Sequence, residues 1–324
     1  MVIAGDSSGP CAEPRRCPGA AGAAGEVRLP GAGGVRLAVR SAGAGPSHRT
    51  PVLLVHGLAS NARTWDGVAS ILARRGHPVA AVDQRGHGRS DKPDGGYDFA
   101  TLTADLLAVI EGLGWSDRPV VVAGQSWGGN VVVELAARHP GAVAALVLVD
   151  GGTIELAADF ADWPTCEAAL TPPPLAGTRL IDLEAVLRRR HPDWPESGIR
   201  GTLANFEVLS DGTVRPWLSL PHHLTILRCL WEHHPQERLE EMTVPVVIAA
   251  AGGGTGRPPR AEAVERGAVA AACAALRSRA VPCTERWIDG DHDLHAQHPA
   301  LVADLVAGAA DGTVFTGTMS TAPH

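Results

Sequence analysis

Apolar residues fall along this chain in two kinds of run. The first kind is short and unbroken: Pro51 to Val55, Val79 to Val82, Val120 to Ala123, Ala145 to Val149, and Val244 to Ala250. Runs of that length without polar alternation are the form of strands buried on both faces of a parallel sheet. The second kind recurs at helical spacing, over Trp65 to Arg75, about Leu102 to Gly112, Val131 to Arg138, about Ala261 to Arg279 and about Pro299 to Ala307. With a further strand at Thr284 to Ile288, strand and helix take turns, which predicts an α/β fold: one doubly wound, mostly parallel sheet with helices on both faces. Glu26 to Pro30 and Val35 to Arg40 alternate apolar and polar residues around Gly31 to Gly34, the pattern of a hairpin at a sheet edge.

The alternation stops at Gly151. From 152 to 242 the chain is rich in Pro and Trp (Trp163, Trp194, Trp217, Trp231), with short helical pieces at Ile181 to Arg190 and Leu224 to Trp231. A stretch this long is too large for a loop, and it predicts an inserted helical lid whose tryptophans form its core or line a pocket. The core is then expected over 26–151 and 243–310. Residues 1–25, dominated by Gly, Ala and Pro, bury too little to repay ordering and are expected to be a disordered tail. A flexible end is expected over 311–324.

In a doubly wound sheet the loops at the carboxyl ends of the strands form the site. Those ends carry His56, Asp83, Ser126 and Asp150. The run ending at Ala123 breaks into Gly124, Gln125, Ser126, Trp127, Gly128 and passes directly into a helix. A serine at so sharp a corner sits in a strained conformation, and side chains two residues to either side would collide, hence the two glycines. The helix beginning past Ser126 aims its unpaired N–H groups at charge developing beside the hydroxyl. Such a serine needs a base from elsewhere in the chain. Of fourteen histidines, His292 is the best placed, in a Gly-containing loop between the last strand and the helix opening at Pro299; His295 is its main competitor.

Composition narrows the reading. A net charge of −7 with no basic stripe beyond Arg188 to Arg190 argues against a nucleic-acid partner. No stretch of about 20 apolar residues spans a membrane, and the N-terminus lacks a signal-peptide pattern. The six cysteines form no metal or disulfide framework, so reduced thiols in a cytoplasm are expected. Gly252 to Gly256 lacks the Gly-Lys-Ser/Thr ending of a phosphate loop, and the pairs His222-His223 and His233-His234 lack metal-ligand spacing. The oligomeric state leaves no mark in the sequence.

The set His56-Gly57, Asp83-x-Arg85-Gly86-x-Gly88-x-Ser90, Gly124-Gln125-Ser126-Trp127-Gly128-Gly129 and Gly290-x-His292 resembles the α/β-hydrolase fold superfamily of lidded serine hydrolases over about residues 26 to 308. By resemblance, the backbone N–H groups of Leu58 and Trp127 would form the oxyanion hole. His56 would orient its loop, and Asp83, Arg85 and His87 would support the site from behind. The acid usually follows the strand after the lid, but here that strand runs into glycines with no carboxylate before Glu262. Some relatives place it one strand earlier, at Asp150, which keeps the order Ser126, Asp150, His292; Glu262, Asp289 and Asp291 stay as alternatives. The resemblance implies a hydrolase of a carboxylic ester, lactone or thioester of a small apolar molecule, working through an acyl-enzyme with no metal or organic cofactor. C–C bond hydrolysis, cofactor-free perhydrolysis, or a small-molecule receptor that keeps the triad and closes its lid are the rivals.

Overall fold

Residues 25–43, 47–253 and 259–316 are described by the structure, a computed structural model, with the backbone alone at 253 and 259–262. The expected tail lies outside these residues apart from Gly25, as does the chain after 316. In chain order the strands are β1 (Gly25–Pro30), β2 (Arg36–Ala42), β3 (Val52–Val55), β4 (Val79–Val82), β5 (Val120–Gln125), β6 (Val143–Val149), β7 (Phe206–Val208), β8 (Val214–Pro216), β9 (Val246–Gly253) and β10 (Cys283–Gly290). All but β7 and β8 form one eight-stranded sheet in the order β1-β2-β4-β3-β5-β6-β9-β10. Its first two pairings are antiparallel, and the rest are parallel.

Unbroken apolar runs make both faces of the central strands dry. Leu53, Val55, Val122, Leu146 and Ile248 point into one core cluster, which contains residues of α2 (Phe99–Gly112), α3 (Trp127–Arg138) and α10 (Pro259–Ser278). Their neighbours Val52, Leu54, Val121, Val147 and Val247 point into the other, with α1 (Asp66–Arg74) and α12 (Pro299–Ala310). That is the expected doubly wound arrangement. The helix expected from Trp65 opens as a single 3-10 turn, Ala62–Trp65, because the Asn61 side chain caps it by accepting from Arg63 N at 2.8 Å. α2 begins at Phe99, three residues before the periodic run, because Asp98 caps it through Thr101 N at 2.9 Å. The end expected to be flexible from 311 starts instead with a short turn, Thr313–Phe315, that buries Val314 in the core.

Between β6 and β9 the inserted segment carries α4 (Leu156–Asp159), α5 (Trp163–Leu170), α6 (Leu180–Arg190), α7 (Glu196–Leu203), α8 (Leu220–Trp231) and α9 (Pro235–Glu241). The β7–β8 ribbon had no signal in the sequence, since three-residue strands are too short to show alternation. Trp163 and Trp231 pack edge to face at 6.1 Å, and Trp217 lies beneath the Lys92 ammonium. Trp194 is buried and donates to Asp291 at 3.1 Å, which ties the insert to the segment that follows β10, where α11 (Leu294–Gln297) begins. Among the described residues no helix is long and apolar enough to cross a membrane.

One buried ion pair braces the edge. Arg85, after β4, forms a two-pronged pair with Asp105 on α2 at 2.6 and 2.7 Å, and Asp105 also accepts from Ala32 N at 2.7 Å. Both side chains are about 95% buried. Breaking a pair this dry strands one charge, a loss of roughly 3–5 kcal/mol. We therefore predict that Asp105→Asn lowers the urea midpoint by that equivalent and that Arg85→Met/Asp105→Leu recovers part of it. An Asp105→Asn variant as stable as the parent would overturn this.

Candidate active site

Strand register sets the site. Val55 pairs with Gly124, Gln125 with Val149, and Val149 with Ala249, so the residues just past these ends, His56, Ser126 and Asp150, emerge in a row. Ser126 occupies φ 53, ψ −129. That region costs a non-glycine residue about 1–3 kcal/mol and persists only where the surroundings hold it. Here Ser126 N donates to Val149 O at 3.1 Å, and Ser126 O accepts from Gly129 N at 2.8 Å. The glycines are required by contact as well: a Cβ on Gly124 would lie 2.4 Å from Gly128 O, and one on Gly128 would lie 2.3 Å from His56 O. A third position went unnoticed in the sequence. A Cβ on Gly151 would lie 2.2 Å from Ser126 O, so the β6 exit is pressed against the serine backbone.

Asp150 is joined to His292. Its Oδ2 accepts from His292 Nδ1 at 2.5 Å, and its Oδ1 accepts from Ala251 N at 2.8 Å. The carboxylate is buried, whereas the imidazole is about half exposed. Burial alone would raise the Asp150 pKa, but the hydrogen bond and charge of His292, together with hydrogen bonding to Glu265 and Ala251 N, outweigh it and hold the carboxyl below its ordinary range. With its proton on Nδ1, a neutral His292 keeps a lone pair on Nε2. Gln125 Nε2 donates to His292 O at 3.2 Å, which fastens this loop beside the residue preceding Ser126.

The other candidates are placed elsewhere. Asp291 accepts from His191 Nδ1 at 2.9 Å and from Trp194, facing the insert. Asp289 is exposed, and the Glu262 side chain lies outside the described residues. His295 is fully buried against Trp65, ring centroids 4.4 Å apart, and burial pulls its pKa down to about 3.

The turn after β3 is held by two buried histidines. Gln84 N donates to His56 Nε2 at 3.0 Å, leaving Nδ1–H to donate to Gly57 O at 2.7 Å. Ala59 N donates to His87 Nε2 at 3.2 Å, leaving Nδ1–H for Arg85 O at 3.0 Å. Burial lowers both pKa values, that of His87 well below the ordinary value, so both rings are neutral. They flank Leu58, while Trp127, as the first residue of α3, has an N–H without an intrahelical acceptor. Asp83 accepts from Ala62 N and Arg89 N at 2.7 and 2.8 Å.

Sequence reasoning missed Asn130. Its Oδ1 accepts from Gly152 N at 3.1 Å, and its Nδ2 donates to Ile154 O at 2.8 Å and to His233 Nδ1 at 3.1 Å; His233 Nε2 donates to Glu134 at 3.1 Å. The chain just past Asp150 is thereby pinned to the helix that follows Ser126. A signal was available: Asn130 is a polar residue set directly before three valines in a buried helix.

Two cavities adjoin these residues. One of about 660 Å3 is lined by Asp150, His292, Ile154, Phe160, Gln236 and Ala268. A second, about 970 Å3 and more apolar, lies between the insert and the core, walled by Ala59, Pro172, Pro173, Trp217, Leu218 and His223. Among the described residues no group of three or more His, Cys, Asp or Glu is arranged to hold a metal.

Comparison with known proteins agrees with this architecture. A family model for the alpha/beta hydrolase fold matches residues 50–195. Over 106 residues the chain is 42% identical to a non-heme chloroperoxidase of Streptomyces lividans, 32% of this chain and 38% of that protein. It is 43% identical over 106 residues to lipase LipV of Mycobacterium tuberculosis, 33% and 39% of the two chains. The matches thus span under two-fifths of the curated relatives' lengths. Among solved structures, E-2-(acetamidomethylene)succinate hydrolase superposes with a TM-score of 0.70 at 26% identity, covering 89% of this chain and all of that one. The thioesterase domain from the curacin biosynthetic pathway does so at 0.66 and 23%, covering 88% and 100%. The chain has the α/β-hydrolase fold.

The neutral histidines give stability a defined pH dependence. A histidine whose folded pKa lies below its unfolded value stabilises the fold above that unfolded value, near 6.5. Below it the unfolded chain takes up a proton that the folded chain refuses. His295 alone should therefore cost about 2 kcal/mol between pH 6.5 and 5.0. The lowered carboxyls of Asp150 and Glu134 add their loss below about 4.5, in the same direction. Urea midpoints should fall across pH 7 to 5, and His295→Phe should flatten that fall; an unchanged slope in the variant would refute the assignment.

Proposed function

We propose that the protein hydrolyses a carboxylic ester, lactone or thioester through an acyl-enzyme on Ser126. The observation that carries this reading is the His292–Asp150 hydrogen bond, set beside a serine whose backbone is held in a strained corner. Ser126 Oγ attacks the carbonyl carbon while His292 Nε2 takes its proton. Asp150 keeps the imidazole in the required tautomer and favours the imidazolium that forms. The developing oxyanion is met by the N–H groups of Leu58 and Trp127, each worth about 3 kcal/mol by mutational precedent. The imidazolium then protonates the leaving alcohol or thiol, and water, deprotonated by the same histidine, releases the acid.

The apolar cavity beneath the insert supports a small apolar acyl or alcohol group, with the insert acting as the lid. A lipase relative supports the bond class. A second reading is perhydrolysis, in which peroxide replaces water at the acyl-enzyme; the likeness to a non-heme chloroperoxidase favours it. C–C bond hydrolysis and a receptor role are separated from both by multiple turnover of a chromogenic ester.

A fluorophosphonate probe is expected to label Ser126, with labelling lost in a folded Ser126→Ala variant. A panel of ester, lactone and thioester, assayed with and without peroxide, ranks the two chemistries. Asp150→Asn keeps the shape but removes the charge, and should lower turnover by about 10⁴ with circular dichroism unchanged. Near-native turnover in that variant, alongside a dead Glu262→Gln, would move the acid to the strand after the insert.

A further inference from the structure

α10 and β10 follow one another through a short turn closed by Val281 N donating to Leu276 O at 3.0 Å. The buried side of α10 carries Val269, Ala272, Cys273 and Leu276, and Cys283 opens β10 in register with Val246. Both cysteines are thus set by packed elements and not by a loop free to swing. Their sulfurs lie 3.0 Å apart, roughly 1 Å outside the covalent S–S length of about 2.05 Å. We propose that Cys273 and Cys283 are a redox-active dithiol that closes reversibly to an intramolecular disulfide, a modification site outside the candidate active site.

The two thiols differ in a way that orders the reaction. Cys273 is fully buried, whereas Cys283 is partly exposed. The hydrogen bond from Cys273 lowers the Cys283 pKa, burial opposes this, and the Arg277 guanidinium lowers it further; the same bond and burial raise that of Cys273. Cys283 is therefore the attacking thiolate. It displaces one small thiolate from a low-molecular-weight disulfide of the glutathione type, giving a mixed disulfide on Cys283. Cys273 then bonds to the Cys283 sulfur as the second small thiolate leaves, and its proton goes to that thiolate. The dithiol loses two electrons and two protons, and the small disulfide becomes two thiols.

The bond would join the two elements that frame the smaller cavity. Val264, Gly267, Ala268 and Ala271 of α10 line it, and β10 leads into the loop bearing His292, which lines it too. Closure would fix that wall to that strand.

The test is oxidation of the folded, full-length chain with oxidised glutathione, alkylation of remaining thiols and tryptic mapping. The expected product has peptides 267–277 and 280–286 joined through Cys273 and Cys283, and separated again by dithiothreitol. Cys273→Ser should trap glutathione on Cys283, and Cys283→Ser should leave Cys273 unmodified. Both cysteines alkylated after oxidation, glutathione persisting on Cys283 of the parent, or either cysteine joined to another partner would overturn the proposal. Glutathione on Cys273 in Cys283→Ser would overturn the order of attack.

Discussion

A serine held at positive φ has no favourable reason of its own to stay there, and the site depends on what prevents it from relaxing. The restraint is backbone against backbone. Gly128 fits under the β3 exit, Gly124 fits against Gly128, and Gly151 presses on Ser126 itself, each with no room for a Cβ. Three parallel strands in register supply those contacts, so the geometry at one hydroxyl is fixed by the sheet as a whole. Side chains then attach the rest: Asn130 pins the chain after Asp150, and Gln125 fastens the loop of His292. Strain of about 1–3 kcal/mol is small beside a core buried on both faces of the central strands, which is why the fold can carry it.

The core was legible because its signal is local. Val79 to Val82 appears as a strand with those bounds, and the helix at Pro299 begins where its proline says it should. The glycine-framed turn at Ser126 and the loop bearing His292 were legible because both are local too. Asp150 was favoured as the acid by resemblance and chain order, with Glu262, Asp289 and Asp291 left as alternatives. Carboxylates in loops look alike until strand pairing sets their neighbours, and Asp150 meets His292 with β6 lying between β5 and β9. The close sulfurs of Cys273 and Cys283 were invisible for the same reason: a spacing of ten residues has no meaning until a helix end is folded back on a strand.

The insert is where sequence reading was weakest, and the cause is element size. Its strands have three residues and its helices four to twelve, so periodicity has little length in which to show. The expectation of tryptophans as pocket lining divides by position. Trp217 walls the larger cavity, Trp163 and Trp231 pack on each other, and Trp194 serves as an anchor. Trp194 reaches Asp291, one residue before His292, from the opposite side of a loop that Gln125 holds from the sheet. The insert and the loop bearing His292 are therefore mechanically connected.

Burial sorts the histidines in a way that composition could not. His56, His87 and His295 sit where a charge would be unsolvated, and each is driven toward the neutral form. Two of them use that neutrality as ring acceptors for backbone N–H groups, which a protonated imidazole could not do. His292 differs on both counts: its ring is half exposed, and its Nδ1 meets a buried carboxylate that can balance a proton gained on the other nitrogen. A residue that must gain and lose a proton needs solvent or substrate on one side and a fixed counter-charge on the other. Of the histidines near the elbow, His292 meets both requirements, whereas His295, only three residues away, is sealed against Trp65.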